Sequence, residues 1–338
     1  MAHLRRQRQA YLEQSVAPST WKVYHAAWSS FLTFASQCGF RPFPLAPSTL
    51  EWYVVGSAAR LRYSTLKVYV AALKFINTFL GWNSSQVSSD RLYYIMRGIR
   101  RTQSLTLPPR PRRTPIALAH LRQLFAHVDL TRTYIDARCF RAAFTLAFFG
   151  LLRVSEFTCP AAGVFDPTNH LCITDIVLSR DPVLLHVRIK ASKTDPFRTG
   201  CSIRVARTDN IFCPVTAMFS YLRVRLPRQG PLFILENGSF LTRADVRAVL
   251  ALVFPSSSSG NINTHSFRIG GASMLASLGV PDATIQLLGR WSSNAFRRYI
   301  HVSDQFLASA HIAASRHGAH FSRIWQADHL ASKPADSP

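Results

Sequence analysis

A proline-rich segment about one third of the way along the chain limits what it can fold into. Four prolines fall within the eight residues from Pro108 to Pro115. Proline lacks a backbone N–H and has a fixed φ, so neither a helix nor a central strand can continue through this segment. The 338 residues are enough for two or three domains. We therefore expect separate domains on either side of an Arg/Pro-rich linker at residues 102–116.

The sequence before the linker has the periodicity of helices. Three Ser-Thr pairs act as helix-start signals, and apolar residues then recur every three or four positions. The four predicted helices lie at 18–35, 47–60, 63–80 and 89–99. Four helices with short connections form a small all-α domain, which we place at residues 15–101 after a basic arm at residues 1–14.

The pattern after the linker is mixed. Helices are predicted at 117–128, 137–152, 214–226, 242–253, 265–278, 281–288 and 303–316. Strands are predicted at 171–178, 183–189 and 202–206. The sequence therefore predicts a mainly α domain with a small antiparallel β-sheet at residues 117–318, followed by a partly disordered tail at residues 319–338.

The charge balance indicates a polyanionic partner. The chain has 40 Lys and Arg residues against 17 Asp and Glu, a net charge of +23, and only six of the basic residues are lysines. Such an excess repels itself in a compact fold unless a polyanion offsets it, and the planar guanidinium suits phosphate groups. From Arg91 to Val128 there are eight arginines and no acidic residue. Nucleic acid is the favoured partner, and an anionic membrane surface is the weaker alternative.

Other classes of protein are disfavoured. No apolar run reaches the roughly 18 residues needed to cross a bilayer, and the first 14 residues are too polar for a signal peptide. The six cysteines contain no Cys-x-x-Cys pair, so neither a zinc site nor a redox motif is indicated. We expect an intracellular protein with reduced cysteines.

Two stretches combine an arginine with a second chemical group. Arg153 and Glu156 follow a very apolar predicted helix, and a structural ion pair between them is the simpler explanation when they are taken alone. His265 and Arg268 are three residues apart, so they share a helix face, with Thr264 as a plausible N-cap. A helix N-terminus that carries His and Arg can bind a phosphate, although a capping cluster with a surface Arg is again the simpler explanation.

A third stretch holds Trp291 and, eight residues later, Tyr299. The Trp291 indole offers an N–H donor with no acid–base ambiguity. A phenol is a poor nucleophile unless cations stabilise the phenolate, and Tyr299 is flanked by Arg297, Arg298 and His301. The alternative is that the Tyr299 ring only packs against its apolar neighbours.

The ordered set Arg-x-x-Glu, His-x-x-Arg, Leu-Gly-x-Trp and Tyr resembles the tyrosine recombinase (phage integrase) family. The motifs His-Ser-Phe-Arg-Ile-Gly-Gly and Leu-Gly-Arg-Trp-Ser-Ser resemble those of the recombinases of DIRS-type retrotransposons in particular. The resemblance covers residues 117–316, and more loosely the helical domain, which is similar to the family's core-binding domain. Many family members have nine residues rather than eight between the last two positions.

The resemblance implies a catalytic role for each of these residues. Arg153 and Arg268 would hold the scissile phosphate, and Tyr299 would attack it to form a 3′-phosphotyrosyl bond. His265 and Trp291 would hydrogen-bond the phosphate. Glu156 would orient Arg153 or His265. Neither a metal nor a nucleotide cofactor is implied, since the covalent bond conserves the phosphodiester energy.

The family also has a general-acid lysine in a β-hairpin between the two arginines. Lys190 and Lys193 are the only lysines between residues 75 and 332. We choose Lys193, in the turn after the second predicted strand, and keep Lys190 as the alternative.

The implied partners are double-stranded DNA, contacted also by the linker residues Arg110, Arg112 and Arg113, and three further copies of the chain in a tetramer on DNA. The helix at 303–316 would dock into a neighbouring copy. The resemblance implies a recombinase for integration or excision of a mobile element, in the nucleus, with no membrane or small-molecule substrate. The alternatives are a catalytically silent DNA-binding protein derived from such a recombinase and a type IB topoisomerase.

Overall fold

The computed structural model describes residues 1–178, 184–192, 195, 197–226, 229–255, 260–300, 308 and 312. Contacts within the chain divide it into two compact units, Met1–Arg110 and Pro111–Pro338. Each unit has its own hydrophobic core. The prediction of a mainly α chain with a small antiparallel sheet is confirmed.

The first unit is helical throughout its described elements. Its helices are α1 (Ala2–Gln14), α2 (Pro18–Gln37), α3 (Pro47–Ser57), α4 (Tyr63–Phe79), α5 (Asp90–Thr106) and a 3-10 turn (Ser85–Val87). Helices α2 and α3 begin with proline, whose fixed φ suits a first helical position. Helix α5 begins where the Ser89 side chain accepts a hydrogen bond from the Leu92 N–H at 3.0 Å. Aromatic and aliphatic side chains of α2, α3 and α4 form the core.

The predicted end of the fourth helix was wrong. Helix α5 continues to Thr106, so residues 102–106 belong to this helix and not to the linker. No proline lies between residues 89 and 107, so no proline stops the helix before Pro108. The Gln103 side chain also fixes the last turns, because it donates to the carbonyl oxygens of Ala58 and Leu61 at 2.8 and 2.9 Å.

The second unit packs helices around a three-stranded sheet. Its helices are α6 (Leu118–Thr131), α7 (Tyr134–Phe149), α8 (Val154–Phe157), α9 (Pro214–Leu222), α10 (Arg243–Val253), α11 (Ser266–Ser277) and α12 (Asp282–Leu288), with 3-10 turns at Ile173–Asp175 and Asn294–Tyr299. The strands β1 (Ile176–Leu178), β2 (Leu184–Ile189) and β3 (Cys201–Ala206) pair antiparallel in the order β1-β2-β3.

The first strand is shorter than the sequence predicts. Residues 171–178 were expected to be extended, but Ile173–Asp175 form a 3-10 turn and only Ile176–Leu178 pair with β2. The Asp175 carboxylate accepts a hydrogen bond from the Cys172 N–H at 2.7 Å and closes this turn. A short polar side chain has therefore replaced part of the strand ladder.

Helix α7 is the centre of the second unit, with ten buried residues. Helix α11 lies against its C-terminal end, and glycine makes this approach possible. A Cβ atom on Gly271 would lie 2.3 Å from the Phe148 carbonyl oxygen, which is far inside the contact distance. The close approach brings the N-terminus of α11 to the end of α7.

Helices α7 and α12 end in the same way, in a Schellman motif with a left-handed residue that is not glycine. At α7, Leu151 has φ +48° and the Leu152 N–H donates to the Ala147 carbonyl at 2.9 Å. At α12, Arg290 has φ +57° and the Trp291 N–H donates to Gln286 at 3.1 Å. Glycine is usual at this position, so each side chain imposes a backbone cost.

Most of the C-terminal prediction lies outside the described residues. Of the helix predicted at 303–316, only Ala308 and Ile312 are described, and both are helical. The tail predicted at 319–338 is not among the described residues. Within the described ranges, no helix combines the length and apolar character that crossing a bilayer requires.

Candidate functional site

Four of the predicted catalytic residues line one cavity of about 660 Å³ in the second unit. They are Arg153, His265, Trp291 and Tyr299, and Arg113, predicted to contact DNA, lines the same cavity. None of the cavity-lining residues that the structure describes is acidic. The cavity is therefore cationic and suited to an anion.

Aromatic contacts hold Tyr299 in the cavity. Its ring centre lies 5.0 Å from that of His265 and 5.4 Å from that of Trp291. The Ser273 hydroxyl donates a 3.0 Å hydrogen bond to the Tyr299 carbonyl oxygen. Because residues 294–299 form a tight 3-10 turn, eight residues are enough to carry the chain from Trp291 back to the same cavity.

Arg153 is both ion-paired and exposed to the cavity. Its backbone N–H and one Nη donate to the two carboxylate oxygens of Glu156, each at 2.9 Å. Glu156 itself is buried, with 1% of its side chain exposed. The structural ion pair expected from the sequence is present, and it orients the Arg153 guanidinium without removing it from the cavity lining.

Arg268 takes a different position from the one expected. It is fully buried rather than on the surface, and it does not line the cavity. Its two Nη atoms donate to the carbonyl oxygens of Leu151 and Gly289, at the C-terminal ends of α7 and α12. Helix C-termini carry partial negative charge, which stabilises a guanidinium between them. The pKa of Arg268 is lowered to about 9 by burial and by the charges of Arg153 and Arg290.

The Trp291 indole covers the Arg268 guanidinium, whose carbon lies 4.1 Å from the ring centre. This stacking depends on Gly289, because a Cβ atom there would lie 1.5 Å from the indole. The Nε atoms of Arg268 and Trp291 are buried and have no hydrogen-bond partner among the described residues. An unpaired buried donor typically lowers the stability of the fold by about 1–3 kcal/mol. A bound acceptor could therefore pair with these two N–H groups at a gain in free energy.

The start of α11 is one residue later than predicted. The helix begins at Ser266, so His265 and not Thr264 is its N-cap residue. The half-buried His265 imidazole faces the cavity, and its pKa is lowered to about 4. Burial is the largest cause, followed by the charges of Arg113, Arg268, Arg153 and Arg243. His265 is therefore neutral at pH 7 and can accept a proton.

We expect an NMR titration of the free protein to show His265 neutral down to about pH 4. Inorganic phosphate is expected to raise this pKa, because an anion in the cavity offsets the arginine charges. The folded state resists protonation that the unfolded state accepts near pH 6.5, so His265 favours folding fully above that pH. This contribution is lost as the pH falls from about 6.5 towards 4.

Arg113→Gln is the informative variant for this titration. It removes the largest charge contribution, so the His265 pKa is expected to rise. Arg132→Gln, with the same charge change at the far end of α7, serves as the control, because 16 residues of helix span about 24 Å. Equal His265 pKa values in the two variants would contradict this account of the cavity.

Of the two candidate lysines, Lys193 lies outside the described residues. Lys190 is held in a structural cluster by the Asp175 carboxylate at 2.7 Å and the Pro167 carbonyl oxygen at 2.7 Å. Burial disfavours its charged form, but the contacts with Asp175 and Cys172 outweigh burial and raise the pKa of Lys190. These contacts leave Lys190 poorly suited to donate a proton elsewhere.

Sequence reasoning missed three arginines near the cavity and treated the three linker arginines alike. Arg110 and Arg112 are exposed and do not line the cavity, whereas Arg113 does. The missed arginines are Arg243, Arg247 and Arg290. The four-residue spacing of Arg243 and Arg247 would have placed them on one helix face, but nothing in the sequence indicated that α10 borders the cavity.

No protein-family model and no curated protein sequence matches the chain. Solved structures do. The integrase of transposon Tn1549, in complex with transposon right end DNA, is 13% identical with a TM-score of 0.57, and the match covers 91% of this chain and 98% of the integrase chain. The XerH site-specific recombinase bound to palindromic difH substrate is 16% identical with a TM-score of 0.56, covering 86% and 78%.

A lambda integrase dimer bound to a COC′ core site is 12% identical with a TM-score of 0.55, and the match covers 88% of this chain and 76% of that one. The chain has the fold of the tyrosine recombinases. At these identities the similarity of structure concerns the recombinase fold alone, and the chemistry of the site has to be argued from its own residues.

Proposed function

We propose that this chain is a DNA strand transferase of the tyrosine recombinase type, which cuts and rejoins double-stranded DNA with Tyr299 as the nucleophile. One observation carries the proposal. The Tyr299 phenol shares a cationic cavity with Arg153, His265 and Trp291, and Arg268 lies directly beneath the Trp291 indole. A phenol among arginines, beside a neutral imidazole, is equipped for attack on a phosphodiester.

The proton of Tyr299 has an acceptor nearby. The imidazole of His265 is neutral at pH 7, and its ring centre lies 5.0 Å from that of Tyr299. As the phenol oxygen bonds to phosphorus, His265 takes the phenol proton. The bond from phosphorus to the 5′-oxygen breaks, and the products are a 3′-phosphotyrosyl link and a 5′-hydroxyl. We assign the proton for that 5′-oxygen to Lys193.

The scissile phosphate would accept hydrogen bonds from Arg153 and from the unpaired donors of the site. Arg153 faces the cavity, and we propose that its guanidinium binds a non-bridging oxygen. The unpaired N–H groups of Trp291 and Arg268 would bind the charge that develops on the phosphate, after a movement of the indole that uncovers Arg268. Glu156 acts indirectly, since it is buried and holds Arg153.

Phosphate contacts outside the reacting group are assigned to α10. Arg243 and Arg247 are exposed one turn apart and line the cavity. We expect the double variant Arg243→Gln/Arg247→Gln to reduce the slope of log affinity against log salt by about 1.8 for B-form DNA, because each lost phosphate contact contributes about 0.9. Fluorescence anisotropy across a salt series measures this slope.

Arg132→Gln is the control for this slope, since it removes one exposed charge at the opposite end of α7. An unchanged slope in the double variant, or an equal loss per charge in the control, would remove α10 from the DNA contact.

The biological assignment rests on the motifs and on the similar structures, which are complexes with transposon or recombination-site DNA. We propose that the chain acts on a mobile element, by integration or excision. We also propose that its motifs resemble those of DIRS-type recombinases because the chain derives from an element of that type. We further propose a homotetramer on DNA, with the segment 303–316 docked into a neighbouring copy, and a nuclear location.

The test is covalent trapping. Purified protein is incubated with nicked duplexes taken from the DNA that flanks its own gene, and a denaturing gel is examined for a protein–DNA adduct. After protease digestion, mass spectrometry is expected to find the nucleotide on the peptide that contains Tyr299. Tight binding to these duplexes with no adduct would instead indicate the silent DNA-binding protein. Relaxation of supercoiled DNA without a site requirement would indicate the topoisomerase.

A further inference from the structure

Arg290 has a left-handed backbone conformation that is unfavourable for any residue with a side chain. It is the left-handed residue of the motif that ends α12, with φ +57°. Only Leu151 and Arg198 share a positive φ among the described residues other than glycine. Glycine would adopt this conformation freely. An arginine in this conformation is therefore expected to make compensating contacts through its side chain.

Those contacts are made beneath the cavity and not in it. One Nη of Arg290 lies 2.8 Å from the Glu156 carboxylate. The guanidinium also donates to the carbonyl oxygens of Gly150 and Leu151, each at 3.2 Å. Only 13% of the side chain is exposed, and Arg290 does not line the cavity.

Two acceptors link Arg290 to both arginines assigned to the phosphate. The Glu156 carboxylate is shared between Arg153 and Arg290, at 2.9 and 2.8 Å. The Leu151 carbonyl oxygen is shared between Arg268 and Arg290. Arg290 thus contacts neither reacting group, yet it touches the partner that fixes each of them.

The negative charge of the Glu156 carboxylate is divided between Arg153 and Arg290. Glu156 is buried, and it is the one acid that pairs with either Arg153 or Arg290 among the described residues. If Arg290 were absent, the whole carboxylate charge would act on Arg153 and draw its guanidinium inward, away from the cavity. At the same time the end of α7 would lose a donor that holds the Leu151 carbonyl oxygen for Arg268.

We propose that Arg290 is a positioning residue, which keeps Arg153 directed into the cavity and Arg268 between the ends of α7 and α12. This proposal rests on the proposed function, because it assigns Arg153 and Arg268 to the phosphate. It does not depend on cleavage for its test, since the positions of the two guanidinium groups can be measured in the free protein.

The test uses Arg290→Gly, which removes the side chain and relieves the left-handed backbone, so folding is expected to be retained and the melting temperature checks it. The first measurement is the ¹⁵N NMR spectrum of labelled arginine side chains. The signals of Arg153 and Arg268, assigned from Arg153→Lys and Arg268→Lys, are expected to shift in Arg290→Gly. Unchanged signals would overturn the proposal, whatever the protein does to DNA.

The second measurement is single-turnover cleavage of the nicked duplex. We expect the rate in Arg290→Gly to fall roughly 100-fold, as for a misplaced catalytic group, with unchanged affinity for DNA. Added guanidinium ion is expected to restore part of the rate, and Arg290→Lys is expected to restore little because lysine lacks the fork that reaches three acceptors. A fall in affinity with no fall in rate would overturn the proposal.

Arg225→Lys is the control for a buried arginine that serves stability alone. Arg225 is also buried and donates to carbonyl oxygens, among them those of Leu232 and Gln229, within the same unit. Its replacement is expected to lower the melting temperature without shifting the Arg153 and Arg268 signals. If Arg290→Gly shifts those signals and the wild-type chain forms no adduct, the proposed function fails while the positioning role stands.

Discussion

Tyr299→Phe is expected to abolish the covalent protein–DNA complex and to leave the affinity for the same duplex unchanged. The variant removes one oxygen and keeps the ring that packs against His265 and Trp291 at 5.0 and 5.4 Å. The hydrogen bond from Ser273 reaches the backbone of residue 299 and is also kept. The cavity therefore stays intact while its nucleophile is gone, and the single-turnover rate should fall by more than about 10⁴-fold.

The matched control is Tyr134→Phe. Tyr134 is exposed at the start of α7, at the end of that helix that lies away from the cavity. The variant also removes one phenol oxygen, but none that lines the cavity. Adduct formation and affinity are both expected to equal those of the wild-type chain. An adduct that persists in Tyr299→Phe would show that another group attacks the phosphate, and the assignment of the cavity would have to be abandoned.

The fold was largely predictable because its elements have strong local signals. Proline at the start of α2 and α3, and the apolar face of each helix, placed most helices to within a few residues. The errors have local causes too. Residues 102–106 looked like linker because Pro108 is near, yet a helix is stopped only where the proline itself begins to interfere. At 171–175 a carboxylate cap replaced a strand that hydropathy alone favours.

The sequence predicted which residues form the site better than it predicted how they are arranged. The ordered motifs named Arg153, His265, Trp291 and Tyr299, and these four line one cavity. The sequence could not show that Arg268 lies buried under an indole, since this depends on where the ends of α7 and α12 meet. Those ends are 138 residues apart at Leu151 and Gly289, and their contact is a product of tertiary packing.

The same limit explains why Arg290 was missed. In the sequence it is one more arginine in a basic chain, next to a more conspicuous tryptophan. Its left-handed backbone and its contact with Glu156 become visible only in three dimensions. Residues that act through other residues carry no chemical signature of their own, and a motif search therefore finds the reacting groups before the groups that hold them in place.

Arg268→Lys is the second large effect that we expect. Lysine keeps the positive charge, but a single ammonium nitrogen replaces the two Nη atoms that reach Leu151 and Gly289, and it cannot stack flat beneath the Trp291 ring. The cleavage rate is expected to fall roughly 10²- to 10³-fold, the usual loss when one stabilising donor is removed. The Leu151 carbonyl oxygen keeps its donor from Arg290, whereas a weaker contact at the Gly289 carbonyl oxygen is expected to cost about 1–3 kcal/mol in the free energy of unfolding. Single-turnover cleavage and urea denaturation measure the two losses separately.

Arg138→Lys separates the two causes, because Arg138 stacks on the exposed Tyr134 ring at the same 4.1 Å distance. It loses a stacking contact of the same distance on a more exposed ring, so a smaller decrease in stability without any decrease in cleavage is expected. If Arg268→Lys is destabilised yet cleaves at the wild-type rate, Arg268 serves only to join α7 to α12. The Nε atoms of Arg138 and Arg268 are both buried and unpaired, but only Arg268 lies beneath the Trp291 ring that lines the cavity. Its free donor is therefore the one placed to bind the phosphate, which argues for the other outcome.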